Sequence, residues 1–595
     1  MKDPRGVVSV LLLSVLVFRP HLSGGTYPFA QELLLIPLLV GLGLWLLVPH
    51  GCPLRREDLR SLVWPWLLVI WAGVTLLWAP DPGQGVRDTA SLALNLSAFT
   101  AVYLLGRNPN WLDRGVAWLS GLVVLPVLTF AFYQRVFGFE ELRALLAGMS
   151  AAGDDVSGLM GVISQGRVFA GFLNPNMLAG FLAVVIPVSL DYALTVPNRR
   201  SAALYSALVL SEAGILLLTG SVGGTLVAVM AGGGVLLARR GARSREVMGM
   251  GAIAVVLAAG LLAIRGLGPI FGPESSFSQR AGYMAAGTRM ALEHPILGWG
   301  AGSSPGALMG FVAQGVRPVS DPHNFLVRIW IEGGTVGLVL IGGFLWLLTG
   351  KSLDVIRTTG LKTSPVGFNG LLFGSAAFLL HSLMDMDFFV PETALFGWGA
   401  MGGLLALSMG HERREPDDVV PLPLRQTMGG VALFAVLPVL LLLQGESLAF
   451  RGLKMYQAGQ HAAAADLYRE AGKLLPFNGR IALEEGRARF TAGERAQALE
   501  LFERADRLMA MSPYPPWELG RTAQAEARWN ESLPYLERAS FRYPTSPRIL
   551  IDLARSHLNM GDPVPAADYL EKALAASAFD PPAGELARNL LDRMR

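Results

Sequence analysis

The chain has 595 residues, more than one ordinary domain holds, so two or more domains are expected. Hydrophobic residues make up 52% and charged residues only 16%, against about 25% charged in an average globular protein, which excludes both a disordered chain and a wholly soluble one. The net charge of +3 gives no case for nucleic acid, and the single cysteine, Cys52, excludes an intramolecular disulfide framework and a cysteine-rich metal site.

Apolar runs near the length that crosses a bilayer, about 20 residues, recur at 7–19, 30–49, 62–79, 86–106, 115–137, 168–191, 201–219, 221–238, 247–264, 326–349, 367–384, 392–410 and 427–444, which predicts about thirteen spans. The first run is short and follows Lys2 and Arg5, but no small-residue cleavage site comes after it, so it is read as a helix and not as a signal peptide. Basic clusters follow every second run: Arg55, Arg56 and Arg60; Arg107 and Arg114; Arg199 and Arg200; Arg239 to Arg245; Lys351 to Lys362; Arg413 and Arg414. By the excess of basic residues in cytoplasmic loops, this alternation puts the N-terminus inside. The stretch 140–155, the long loop 265–325 and Asp385 with Asp387 then fall outside. An odd number of spans leaves the polar segment from about residue 446 outside the cytoplasm.

Several polar residues on the predicted outer side are candidates for chemistry. Asn174 and Asn176 flank Pro175, a helix break whose freed backbone can line a polar cavity. Arg167, Arg265, Arg280, Arg289 and Arg317 are cations suited to a diphosphate, which a guanidinium holds through a fixed fork of donors. Arg280 and Arg289 are nine residues apart, about 180° around a helix, so they reach one anion only if the helix breaks, with Gly287 the natural point. In Asp321-Pro-His-Asn324, Asp321 is expected to cap a helix that has Pro322 at its first position and His323 in its first turn, where an imidazole can serve as a base. Arg328 and Glu332, four apart inside a span, are read as a structural pair. Asp385 and Asp387 follow His381 at the end of a span, and either carboxylate can orient His323 or bind an acceptor hydroxyl. The eight histidines show no metal-ligand spacing, and Asp154-Asp155 is read as an acidic loop, so no metal and no cofactor are expected.

After residue 446 the chain becomes Ala/Glu/Arg-rich with a period of 34 residues. Gly459, Gly493, Ala527 and Gly561 share it, as do Ala471, Ala505, Ala539 and Ala573. About four repeats over roughly 452–590 resemble the tetratricopeptide repeat, which implies a soluble α-solenoid with a groove for a protein, peptide or glycan partner.

A second resemblance lies in the membrane part. His323-Asn324 followed by Gly334-x-x-Gly337 resembles the signature of the bacterial O-antigen ligase and polymerase superfamily. Three segments upstream fall in that family's order: Arg167 to Ala179; Thr219-Gly-Ser221, although Val222 stands where the family usually has arginine; and Arg280 followed by Glu293-His-Pro-Ile-Leu-Gly-Trp-Gly-Ala-Gly. The similarity spans roughly 160–410. It implies an all-α, GT-C-like membrane glycosyltransferase domain over 1–445 with an extracytoplasmic repeat domain over 446–595. The donor it implies is a glycan on undecaprenyl diphosphate, in the bacterial cytoplasmic (inner) membrane. The implied acceptor is a lipid A core for a ligase, a second lipid-linked unit for a polymerase, or a protein hydroxyl for an O-oligosaccharyltransferase. His323 and Arg280 would be catalytic, with Arg167, Arg289, Asn174, Asn176, Asn324, Asp385 and Asp387 around the substrate. A transporter, which should show repeated halves, and a membrane scaffold are the readings from other classes.

Overall fold

The computed structural model describes residues 5–21, 29–48, 54–151, 157–172, 174–240, 275–409 and 419–594. Among them the chain is all-α. In order, the helices are α1 (Arg5–Phe18), α2 (Ala30–Leu47), α3 (Arg56–Thr75), α4 (Pro82–Gly106), α5 (Asn110–Ala147), α6 (Ser157–Ser164), α7 (Pro175–Thr195), α8 (Arg199–Thr219) and α9 (Val222–Arg240). They continue with α10 (Ser276–Glu293), α11 (Phe325–Thr359), α12 (Phe368–Ser382), α13 (Pro391–Met409) and α14 (Leu422–Gln457). Eight of these described helices, α2, α4, α5, α7, α8, α9, α11 and α14, are long and apolar enough to cross a membrane. The expected count of thirteen is therefore not reached. The runs at 7–19 and 367–384 form shorter apolar helices, those at 62–79 and 392–410 lie in α3 and α13 outside the set of eight, and the run at 247–264 lies outside the described residues.

The chain divides into two compact units. The first comprises residues 1–67, 90–265 and 340–439. Its centre is α7, buried over nearly its whole length from Pro175 to Tyr192, which is why this helix is apolar all round and not striped. Glycine lets neighbours approach closely: a Cβ at Gly374 of α12 would lie 2.8 Å from the Val184 carbonyl oxygen. One buried charge inside this unit is paired several times over. Asp191 takes two hydrogen bonds from Arg239, at 2.6 and 2.9 Å, and a third from the Gly370 N–H at 3.1 Å. Arg239 also donates to the Ser364 and Pro365 carbonyls, so it ties the ends of α7 and α9 to the start of α12.

The second unit comprises residues 68–89, 266–339 and 440–595. Its repeats follow the end of α14 as eight helices: α15 (His461–Leu474), α16 (Gly479–Thr491), α17 (Arg495–Leu508), α18 (Tyr514–Ala525), α19 (Trp529–Arg542), α20 (Pro547–Met560), α21 (Pro563–Ala576) and α22 (Pro581–Met594). The 34-residue period is visible in the backbone. Gly459, Gly493, Ala527 and Gly561 are the hairpin turns, with φ of 76°, 89°, 56° and 84°. Ala471, Ala505, Ala539 and Ala573 are fully buried where α15, α17, α19 and α21 meet their neighbours.

The repeats share their unit with the loop before α11. Met309 packs on Ala539, Tyr543 and Ile549, and Met511 joins the cluster of Ala286, Met290, Leu308 and Ile331. The Ala510 N–H donates to the Pro80 carbonyl at 2.9 Å. The sequence boundary at 445/446 thus marks a change of composition, while the compact unit also takes in two earlier segments.

Candidate active site

The loop leading into α11 sets the position of His323. The helix starts at Phe325, three residues later than expected. Its cap is Asn324, whose side-chain oxygen accepts from the Leu326 and Val327 N–H groups at 3.0 and 3.1 Å. Asp321 does not cap it. One Asp321 oxygen accepts from the His323 N–H at 2.7 Å and the other binds Arg328 at 2.9 Å. His323 consequently lies outside the helix with φ of 54°, a left-handed conformation that costs a non-glycine residue about 1–3 kcal/mol and must be held by its surroundings.

The imidazole is held against Tyr283 of α10, ring centroids 5.3 Å apart and tilted by 31°. Tyr283 is one turn from Arg280 on the same helix. Burial raises the Tyr283 hydroxyl above its ordinary range, and Arg317 and Arg280 pull it back down. Two positive charges therefore act on the phenol that packs on His323. Arg280 donates to the Ser276 hydroxyl at 2.9 Å. Two of the expected site residues, Arg280 and His323, are thus in one neighbourhood through Tyr283, which the sequence reading missed. Its signal was only its spacing of i+3 from Arg280.

Arg289 is not part of this neighbourhood. Helix α10 runs unbroken from Ser276 to Glu293, so the break at Gly287 that would let both arginines reach one anion is absent. Gly287 serves packing instead: a Cβ there would lie 2.8 Å from Val327 and 2.9 Å from Pro322. Arg289 is exposed on another face and donates to the Phe311 carbonyl.

Arg328 and Glu332 do pair, at 3.1 Å, but the pair belongs to a larger cluster. Arg328 also binds Asp88 of α4 at 2.6 Å and Asp321 at 2.9 Å, so one guanidinium serves three carboxylates. Asp88 further accepts from Gln84 at 2.9 Å. Through Asp321 this cluster anchors the loop that carries His323.

The glycines of the Gly334-x-x-Gly337 motif are structural. Gly334 adopts φ 64° and ψ −164° and kinks α11. A Cβ there would lie 2.1 Å from the Ile296 carbonyl oxygen, so only glycine fits. The kink frees carbonyls that the preceding loop and α3 satisfy: from the loop, Trp299 N–H binds Ile331 O at 2.7 Å and Gly300 N–H binds Glu332 O at 3.0 Å, and from α3 Trp71 Nε1 binds Gly333 O at 2.8 Å. The segment Pro295–Gly300 and the kink are therefore one interlocked feature.

The other candidates lie in the first unit, gathered at one end of α7. Arg167 donates to the Thr219 carbonyl at 2.8 Å and to the Asn176 side chain at 2.9 Å. Asn174 caps α7 through the Asn176 and Met177 N–H groups, with Pro175 at the first position, so the expected helix break is a helix start. Ser221 accepts from the Gly224 N–H at 3.3 Å in the first turn of α9. Asp387 is buried against His381, and a Cβ at Gly180 would lie 2.6 Å from its Oδ1. Asp385 is likewise buried and accepts from the Met386 N–H at 2.9 Å. Arg265, Cys52 and Asp154-Asp155 lie outside the described residues.

Residues 206–342 match the family model described as O-antigen ligase. That segment contains Ser221, Arg280, His323, Asn324 and the Gly334–Gly337 kink. No curated protein matches the chain. The crystal structure of the APC/C hetero-tetramer Cut9-Hcn1 aligns at 14% identity over 86% of this chain and 83% of that one, with a TM-score of 0.23, a likeness too low to carry an argument. The chain is a multi-pass membrane protein with an O-antigen ligase domain, which places that domain in a family of membrane glycan ligases and polymerases.

Proposed function

We propose that the chain transfers a glycan from undecaprenyl diphosphate to an acceptor hydroxyl at the outer face of the bacterial cytoplasmic membrane, as an O-antigen ligase does, with residues 446–595 extracytoplasmic. The observation that carries this reading is the seating of His323 on Tyr283, one turn from Arg280, inside the matched segment.

In the proposed reaction His323 takes the proton of the acceptor hydroxyl. The acceptor oxygen forms a bond to the anomeric carbon, and the bond from that carbon to the lipid diphosphate breaks. The electron pair leaves on the diphosphate oxygen, which Arg280 holds through its fork of donors. A single displacement of this kind inverts the anomeric centre. Asp321 is a positioning residue in this scheme, because it binds the His323 backbone and Arg328 together.

The test is transfer by the full chain in liposomes supplied with a polyprenyl-diphosphate glycan and a lipid A core. Wild type is expected to move glycan onto the core. His323→Ala should lower the rate by about 10²–10⁴-fold, the usual worth of general-base catalysis, with an unchanged thermal melt. Full turnover by His323→Ala would overturn the base assignment. A ladder still attached to the polyprenyl carrier would reassign the reaction as a polymerase.

A further inference from the structure

We infer that the cavity of about 270 Å³ between the loop 314–318 and the repeat helices is a saccharide-binding subsite, which holds a stretch of the glycan that the proposed reaction handles. The inference rests on that reaction for the identity of the ligand and on the second unit alone for the site.

The cavity is built by elements distant in sequence. Tyr514 and Trp517 come from α18, Tyr543 from the turn between α19 and α20, Arg548 from the first turn of α20, and Phe579 and Asp580 from the turn before α22. Four aromatic rings on one small cavity supply the flat apolar faces against which the C–H faces of a sugar ring pack. Arg548 and Asp580, paired at 2.7 Å on its wall, present donors and acceptors for sugar hydroxyls. Convergent aromatic and polar groups of this kind are the usual makeup of a ligand pocket. Two of the rings are held by partners outside the cavity. The Trp517 indole N–H donates to Asp552 at 2.8 Å, and the Arg317 guanidinium lies 5.3 Å from the centre of the Phe579 ring.

Size and position narrow the ligand. The volume is at the low end for ligand pockets, about 300 Å³, and too small for a helical peptide of about 10 Å diameter. The loop that forms one wall has its other side on α10. Val316, which lines the cavity, sits where a Cβ of Gly282 would lie 2.7 Å away. Gln279 binds the loop backbone on either side of Val316, accepting from Arg317 N–H at 2.7 Å and donating to the Gly315 carbonyl at 3.3 Å. Gly282 adjoins Tyr283, the residue under His323. The loop 314–318 thus lies between the cavity and helix α10, on which the proposed catalytic histidine packs.

The experiment is saturation-transfer difference NMR on the full chain in nanodiscs, with chitotetraose, maltotetraose and mannotetraose as probes. Saturable binding of at least one is expected. Arg548→Ala and Phe579→Ala, neither in a buried core cluster, should each weaken it about tenfold without moving the thermal melt. His323→Ala should leave it unchanged, so that loss of transfer and loss of saccharide binding are read separately. Binding that survives both Arg548→Ala and Phe579→Ala would overturn the inference. So would no binding of any of the three, or saturable binding of a Gly-Ser decapeptide in their place.

Discussion

The helix bundle around α7 and the repeats from α15 to α22 are both all-α, yet they use charge in opposite ways. In the bundle, a charged group can be tied to several partners away from water: Asp191 is fully buried and receives three hydrogen bonds. In the repeats, ion pairs are many and mostly exposed, such as Lys572–Asp568, in which both side chains are 58% exposed. Solvent explains the contrast. A charge buried away from water must find its partners in the protein, whereas on a wet surface an ion pair competes with water and is worth little. The repeats depend instead on small buried residues at a fixed period.

Four substitutions probe this difference, all read by unfolding of the purified full chain in detergent micelles. Asp191→Ala should have the largest effect, about 3–5 kcal/mol, because it strands Arg239 among helix ends; a loss below 1 kcal/mol would mean that water reaches the pair. Ala505→Leu should cost about 1–3 kcal/mol by overpacking a fully buried position between α17 and its neighbours, and no loss would show that the small residue is incidental. Ala527→Gly should stabilise the repeats by up to about 1 kcal/mol, since φ is 56° where the other three repeats have glycine. Destabilisation there would show that the methyl group packs usefully. Lys572→Ala should change stability by less than about 0.5 kcal/mol, and a larger loss would place that surface pair in a network.

The repeats were the most legible part of the sequence because the same residue types recur where the same backbone geometry recurs. A left-handed turn selects glycine and a close helix crossing selects alanine, so both appear at a spacing of 34 residues. The spans were less legible. Length and apolarity do not distinguish a helix that faces lipid from one such as α13, which is buried almost throughout. The entry to α11 was misread for a local reason. Asp321, Pro322 and Asn324 all favour a helix start, and the choice of Asn324 depends on Arg328 claiming Asp321.

Composition and periodicity by themselves determined the all-α class, the membrane character and the repeat, while His323 and Arg280 became candidates through the resemblance to the O-antigen ligase family. Composition and periodicity suffice for the first three because each rests on interactions within about one helical turn or on solvent preference. Only the tertiary structure decided the company these residues keep. Tyr283 is 40 positions from His323, Asp88 is 240 from Arg328, and the loop 314–318 meets repeat helices some 200 residues further on. Such pairings are settled when helices pack and each buried charge must find its partner, and no local pattern in the chain encodes them.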